Sequence, residues 1–479
     1  MSEHGPVPES TAAWSDEETA GATGTVVRMA SVAAIGGFLF GYDSAVINGA
    51  VAAIKSQFSA GSVALGLTVS STLVGAALGA VVAGRLADRI GRLAVMWLSA
   101  ALFLISAIGA GLAWDLISLG FFRFIGGVGV GAASVIAPTY IAEIAPAGIR
   151  GRLGSLQQLA IVLGIFIALL VDFGIAAAAG GSTQEWLLGL EAWRWMFISM
   201  AIPSALYGGL ALTIPESPRY LVARGRLDRA KKVLRQLLGN VDLDDKIEQI
   251  RLTLVRETKP GMRDLRGPAL GLLPIVWVGI GLSVFQQFVG INVIFYYSSV
   301  LWQAVGFTER NALLITVITS VVNVLTTLIA IATIDRYGRK PLLLIGSAGM
   351  AVTLGVLAIL FGTAPVNAAG QPVLSGAAGP IALVAANLYV VAFGMSWGPV
   401  VWVLLGEKFP NRIRAAALGV AAAAQWIANW VISTSFPALA DVGLGLAYGL
   451  YTASALLSFF FVWRWVRETK GMELEEMKA

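Results

Sequence analysis

The sequence predicts an all-α membrane protein of twelve transmembrane helices in two six-helix halves, with a small cytoplasmic helical segment between them. Three observations carry this. The 479 residues are 57% hydrophobic and 13% charged, with a mean hydropathy of +0.78, whereas a soluble chain is about a quarter charged. Twelve apolar runs each approach the roughly 20 residues that cross a hydrocarbon core. Three pairs of short motifs recur in the same order in the two halves of the chain.

Taken in order, residues 1–27 are acidic and rich in Ser, Thr, Ala and Gly, and they contain the single histidine, His4. They lack the basic start of a secretory signal and read as a disordered cytoplasmic tail. The N-terminal half, 28–214, holds spans at 30–52, 64–84, 93–113, 116–141, 153–175 and 193–214. A cytoplasmic helical linker follows at 215–268. Within it Leu227, Ala230, Val233, Leu234 and Leu237 recur at helical spacing between charges, with Ile247, Ile250, Leu252 and Leu254 as a second set. The C-terminal half, 269–466, holds spans at 271–297, 312–333, 341–362, 381–405, 413–436 and 443–466, and 467–479 form a cytoplasmic tail.

Orientation follows from the basic residues, which are retained on the cytoplasmic side. With the N-terminus inside, only Lys55, Arg194 and Arg310 face outward and Arg123 lies within a span, so 29 of the 33 Lys and Arg fall inward. Both termini are therefore expected in the cytoplasm. The net charge of +5 reflects this bias; basic residues scattered over short loops beside a bilayer give a nucleic-acid partner little support. No cysteine is present, so the disulfide argument for compartment is silent. One tail histidine offers no metal cluster, and no nucleophile–base set or phosphate loop points to an enzyme or a cofactor.

The repeat is specific. "GRLADRIGR" after span 2, with Gly84, Asp88, Arg89, Gly91 and Arg92, matches "TIDRYGRK" after span 8, with Asp335, Arg336, Gly338 and Arg339. Glu143 and Arg150 close span 4 as Glu407 and Arg414 close span 10. Glu216 and Arg219 of "PESPR" follow span 6 as Glu468 of "RETKG" follows span 12. Glycine permits a tight turn and the charges can bind neighbouring helix ends, so these residues are expected to form a cytoplasmic latch. Parallel six-helix halves place a substrate site between them.

Inside the bilayer, Asp43 lies roughly 14 Å below the outer end of span 1 and Arg123 roughly 10 Å below the same surface on span 4. At equal depth they should pair, because each offsets the other's burial. One reading is a fixed structural ion pair. The other is a proton switch, in which Asp43 takes a proton when the Arg withdraws. The second half supplies amides instead: Gln286, Gln287 and Asn292 on span 7, with a helix break near Gly290, Asn323 on span 8, and Gln425 and Asn429 on one face of span 11. Gln158 shares a face of span 5 with Ile161 and Ile165. Amides could merely join helices, but as a set of donors and acceptors they suit a neutral polyhydroxylated ligand, with Phe40, Phe393, Trp402 and Trp426 as ring platforms.

Over residues 28–475 the chain resembles the sugar porter family of the major facilitator superfamily, closest to bacterial proton-coupled glucose and xylose symporters. The motifs are "GGFLFGYDSAVING", "PTYIAEIAP", "PESPRYL", "FQQFVGINVIFYYS", "DRYGRKP" and "SWGPVVWVLLGEKFPNRIRAAALGVAAAAQW". The resemblance implies that Gln158, Gln286, Gln287, Asn292, Asn323, Trp402 and Gln425 bind the sugar. Phe40, Ile161, Ile165, Phe295, Phe393, Gly398, Trp426 and Asn429 would line its pocket, and Asp43 would carry the proton with Arg123 as partner. Facilitative carriers of the family have Asn at the Asp43 position, which favours symport here. Where the family's xylose symporter has a second acid, in span 6, this chain has Met200. Ile165 and Phe295 resemble glucose carriers, so D-glucose is expected ahead of xylose and other hexoses.

Expected partners are thus a monosaccharide, a proton and the lipid bilayer, with no cofactor beyond the proton gradient and a monomer as the working unit. Without an Asn-x-Ser/Thr sequon, and with a short first outer loop, a bacterial inner membrane is the expected location. A facilitative uniporter and a non-transporting sugar sensor are the alternatives.

Overall fold

The computed structural model describes residues 16–145, 150–238, 243–256, 262–366, 372–409 and 413–468. Among them there is no strand, only isolated bridges in loops. The first half runs α1 (Asp16–Gln57), α2 (Ser62–Ile90), α3 (Arg92–Gly111), α4 (Leu116–Ile144), α5 (Arg150–Ala179), α6 (Ala192–Ser199) and α7 (Ala201–Ala211). Three short helices follow: α8 (Pro218–Ala223), α9 (Leu227–Leu238) and α10 (Leu243–Arg256). The second half runs α11 (Pro274–Phe288), α12 (Ile291–Ala304), α13 (Glu309–Tyr337), α14 (Arg339–Thr363), α15 (Ala378–Gly394), α16 (Trp397–Lys408), α17 (Arg414–Val442) and α18 (Leu444–Trp465).

Eleven stretches are long and apolar enough to cross a membrane, α11 with α12 and α15 with α16 each counting as one. The twelfth crossing is α6 with α7, interrupted at Met200 because Pro203 has no N–H to give the carbonyl of Ser199. Six crossings therefore fall in each half, as the sequence predicts. Span 7 breaks where expected: Gly290 sits in the left-handed region at φ +84°, between α11 and α12. Span 10 also breaks, at Ser396, which the sequence reading did not anticipate. Pro399 there leaves the carbonyl of Met395 without its helical donor.

We call the end where α1 begins and α18 finishes, with α8–α10, the inner end. In the linker Ala230, Val233, Leu234, Leu237 and Ile247 bury as their spacing predicts. Leu227 and Leu252 are exposed and Ile250 and Leu254 half-buried, so the second stripe is only partly used. Hydrogen bonds between the halves cluster toward the outer end. Asn48 Nδ2 donates to the Phe295 carbonyl and to Ser298 Oγ, each at 3.0 Å, and the Ser299 N–H donates to Asn48 Oδ1 at 3.1 Å. Thr434 Oγ1 donates to Ser70 Oγ at 2.7 Å, the Ser182 N–H to Glu309 Oε1 at 3.0 Å, and Ser62 Oγ to Asp441. The outer gate is shut.

Candidate functional site

Both ionisable groups singled out in the first half are inside the protein. Asp43 on α1 is 1% exposed and Arg123 on α4 is 2% exposed. The Asp43 carboxylate packs against α4, where a Cβ on Gly126 would lie 3.1 Å from its Oδ1. The two are within electrostatic reach, but they do not form the close ion pair that equal depth predicts. Asp43 Oδ2 and Arg123 Nε and Nη1 have no hydrogen-bond partner. Arg123 instead points Nη2 at the Val69 carbonyl, 3.5 Å away, with its guanidinium 5.8 Å from the Phe197 ring. Depth along a helix fixes height and leaves rotation open, which is why the contact could not be read from spacing.

The amides of the second half converge. At the start of α16, Gln286 Nε2 donates to two carbonyls, Trp397 O at 2.8 Å and Gly398 O at 3.2 Å. Gln425 Nε2 donates to Gln286 Oε1 at 2.6 Å, tying α17 to α11. Across the Gly290 break, Asn292 Nδ2 donates to Gln287 Oε1 at 2.5 Å. Asn429 accepts from Ser433 Oγ at 3.0 Å and lies near the Tyr296 side chain, which is also near Ser44 of the first half. Phe393 packs beside Gly398, and Phe40 meets Trp426 across the interface, ring centroids 5.8 Å apart. Gln425 Oε1 is buried without a donor, an acceptor suited to a hydroxyl.

Other expected residues stand further out. Asn323 lies against Gly394 and Thr326 where α13 meets α15. Gln158, Ile161 and Ile165 are half-buried along α5, Phe295 is buried with its carbonyl held by Asn48, and Trp402 is 43% exposed one turn along α16 from Gly398. Gln157, beside Gln158, is the more buried neighbour, with an unpartnered Oε1. Neither it nor Tyr296 was singled out from the sequence. Their signal was adjacency: Gln157 is the other half of a Gln pair, and Tyr296 lies four residues past Asn292.

At the inner end the repeated charges bind within each half in the contacts that follow. Arg92 makes a two-pronged bond to Glu143, Nε to Oε2 at 3.0 Å and Nη2 to Oε1 at 2.8 Å, with Asp88 at 3.4 Å. Glu216 accepts the N–H groups of Arg92 and Leu93 at 3.0 and 3.3 Å, capping α3. Glu468 does the same for α14, accepting from the N–H groups of Arg339 and Lys340 at 3.0 and 2.9 Å. Anionic caps suit helix N-termini, so the third motif pair has a common role that spacing alone did not disclose. Gly91 and Gly338 turn at φ +101° and +90°. Gly84 and Arg89 flank the first turn, Arg89 through its carbonyl, which accepts from Tyr220 Oη at 3.3 Å. Arg219 lies on α8, and Arg336 stacks on the Tyr337 ring at 5.8 Å. The side chains of Arg150, Asp335, Glu407 and Arg414 lie outside the described residues. A cleft of about 930 Å3 at this end, lined by Arg28, Glu216, Arg226 and Lys232 among others, shares no residue with the amide cluster.

Residues 29–479 match the model of the family described as "Sugar (and other) transporter". The chain belongs to this sugar transporter family. It is 61% identical to a glucose transport protein of Synechocystis sp. over 94% of this chain and 97% of that one. It is 40% identical to the D-xylose-proton symporter of Escherichia coli, covering 94% of each. Among solved structures it is similar to the inward-open conformation of the xylose transporter of E. coli, at TM-score 0.80 and 37% identity over 94% of this chain and 99% of that one. A sugar transporter shut at its outer end is what the hydrogen bonds above describe.

Proposed function

We propose that the chain is a proton-coupled symporter that imports a monosaccharide, D-glucose first, by alternating access. The observation that carries this is the Asp43–Arg123 pair, buried at the interface of α1 and α4 yet separated while the outer gate is closed. A charge at this depth without a contacting partner costs at least a few kcal/mol. Protonation of Asp43 removes that cost in the separated state, and approach of Arg123 restores the carboxylate in the other, so the proton and the conformation bias each other. A fixed structural pair, the uniporter alternative, has no reason to be apart.

The amide cluster is the proposed sugar site. Gln158, Gln286, Gln287, Asn292, Asn323, Trp402 and Gln425 bind hydroxyls, and Phe40, Ile161, Ile165, Phe295, Phe393, Gly398, Trp426 and Asn429 shape the pocket. Neutral donors and acceptors with no charged side chain among them suit an uncharged sugar, and the likeness to a glucose transport protein supports glucose over xylose. Segments 28–214 and 269–466 act as the two moving halves, 215–268 as the inner platform and the charged motifs as its braces. The working unit is a monomer in a bacterial inner membrane, needing no cofactor, with the basic end and both termini in the cytoplasm.

Asp43→Asn in reconstituted vesicles tests the coupling. Accumulation against a gradient should be lost while sugar exchange persists. Concentrative uptake equal to the parent protein's would refute the switch.

A further inference from the structure

The first half contains a second buried carboxyl that this scheme does not use. Asp172 on α5 is 0% exposed and lies seven residues, about 10 Å, from that helix's outer end. Its Oδ2 accepts the N–H of Gly49 on α1 at 3.2 Å, while Oδ1 is enclosed without a hydrogen-bond partner. Gly49 makes this seat: a Cβ there would stand 2.7 Å from both the Cβ and Oδ2 of Asp172.

No cation answers Asp172 among the described residues. Arg123 on α4 turns to Val69, and Arg194 on α6 binds Glu191 and the carbonyls of Gly111 and Ala113. The charged residues of α13 nearest this side, Glu309 and Arg310, lie in its first outer turn, where Glu309 holds the Ser182 N–H. From α1 the titratable group facing Asp172 is Tyr42, whose hydroxyl bonds Ser199 Oγ at 2.6 Å. An ionised, unpaired carboxylate enclosed here costs several kcal/mol, and a bound proton removes that cost.

The position gives the proton a consequence. Gly49 follows Asn48, the residue that clasps α1 to α12 across the outer gate. We propose that Asp172 is a second proton-binding site, separate from Asp43, whose occupancy permits the outer gate to shut. With the gate open, water reaches the carboxylate and a proton from the outer medium converts it to the acid. The clasp then closes over a neutral group, and on reopening the acid returns its proton to the same side. This proton gates the cycle without being carried across. The inference rests on the transport reading above but not on Asp43 being the carrier.

The test uses full-length protein, in which the absence of native cysteine allows spin labels at Val63→Cys and Val442→Cys, next to the Ser62–Asp441 bond of the gate. The open fraction of the parent protein should rise roughly tenfold or more between about pH 5 and about pH 8 and stay low throughout in Asp172→Asn. Infrared spectra supply a second readout: a protonated-carboxyl C=O band should survive Asp43→Asn and vanish when Asp172→Asn is added to it. Equal pH profiles for parent and Asp172→Asn, or no such band in Asp43→Asn, would overturn the proposal. Should Asp172→Asn not fold, the band in Asp43→Asn protein decides alone. Concentrative uptake is expected to persist in Asp172→Asn, whereas its loss in Asp43→Asn bears only on the carrier.

Discussion

Asn48→Ala should unlock the outer gate. The substitution removes two donations from Nδ2, to the Phe295 carbonyl and Ser298 Oγ, and one acceptance by Oδ1 from the Ser299 N–H. All three join opposite halves, so they exist in the outer-closed state and are broken when the halves part there. Polar contacts between membrane helices average about 0.6 kcal/mol each, so three amount to roughly 2 kcal/mol of differential stability. At about 1.4 kcal/mol per tenfold, the closed-to-open ratio should fall roughly thirtyfold. Spin labels at Val63→Cys and Val442→Cys, on exposed positions flanking the gate, would report this as growth of the long-distance population. Sugar should also bind more tightly from outside and turn over more slowly, because the inward-facing state has become the costlier one. A distance distribution unchanged from the parent protein would refute the reasoning, since it would mean that the clasp is matched by equal contacts in the open state.

Two further outcomes follow from the inner end. Gly91→Ala forces a side chain into φ +101°, ψ 163°, a region costing about 1–3 kcal/mol and essentially reserved to glycine. It also drives a Cβ onto the Glu216 carboxylate that caps α3. A clear fall in melting temperature in detergent is expected, and an unaltered melt would show that the turn is not strained. Lys408 is buried with no partner for Nζ among the described residues, and burial, then Arg467 and Lys340, pull its amine down from 10.5 to about 8. Between those values the unfolded chain binds more protons than the folded one, so stability rises with pH there and the penalty is full below about pH 8. Lys408→Met should therefore stabilise the protein by at most about 3 kcal/mol near neutral pH, with the gain fading toward pH 10. A gain that ignores pH would refute this origin.

What sequence made legible follows what each signal measures. Hydropathy and length placed twelve crossings, and the left-handed freedom of glycine placed the Gly290 break. The Ser396 break was missed although Pro399 was in view, because a long apolar run masks a proline that removes a single helical donor. Height along a helix showed that Asp43 and Arg123 are both inside; it could not show that they stand apart, because separation depends on rotation. Asp172 passed unremarked inside a span for a related reason. Its counterpart is a backbone N–H exposed by Gly49, and no charge pattern records a missing side chain.

Coupling two ligands requires a group that feels both, and the structure offers a short path. The first half concentrates ionisable side chains that each keep a buried polar atom without a hydrogen-bond partner among the described residues, Asp43, Arg123 and Asp172. The second half concentrates neutral amides that bond one another, Gln286 with Gln425 and Gln287 with Asn292. Tyr296 lies between these sets. Its side chain lies near Asn429 on the amide side and near Ser44, next to Asp43, on the other, within electrostatic reach of both Asp43 and Arg123. Sugar ordering the α17 face would act on one side of its surroundings, and protonation of Asp43 on the other. Since α12 also carries the Asn48 clasp through Phe295, Ser298 and Ser299, one helix would join the proposed sugar face and the proposed proton site to the outer gate, set apart from α11 by the left-handed Gly290.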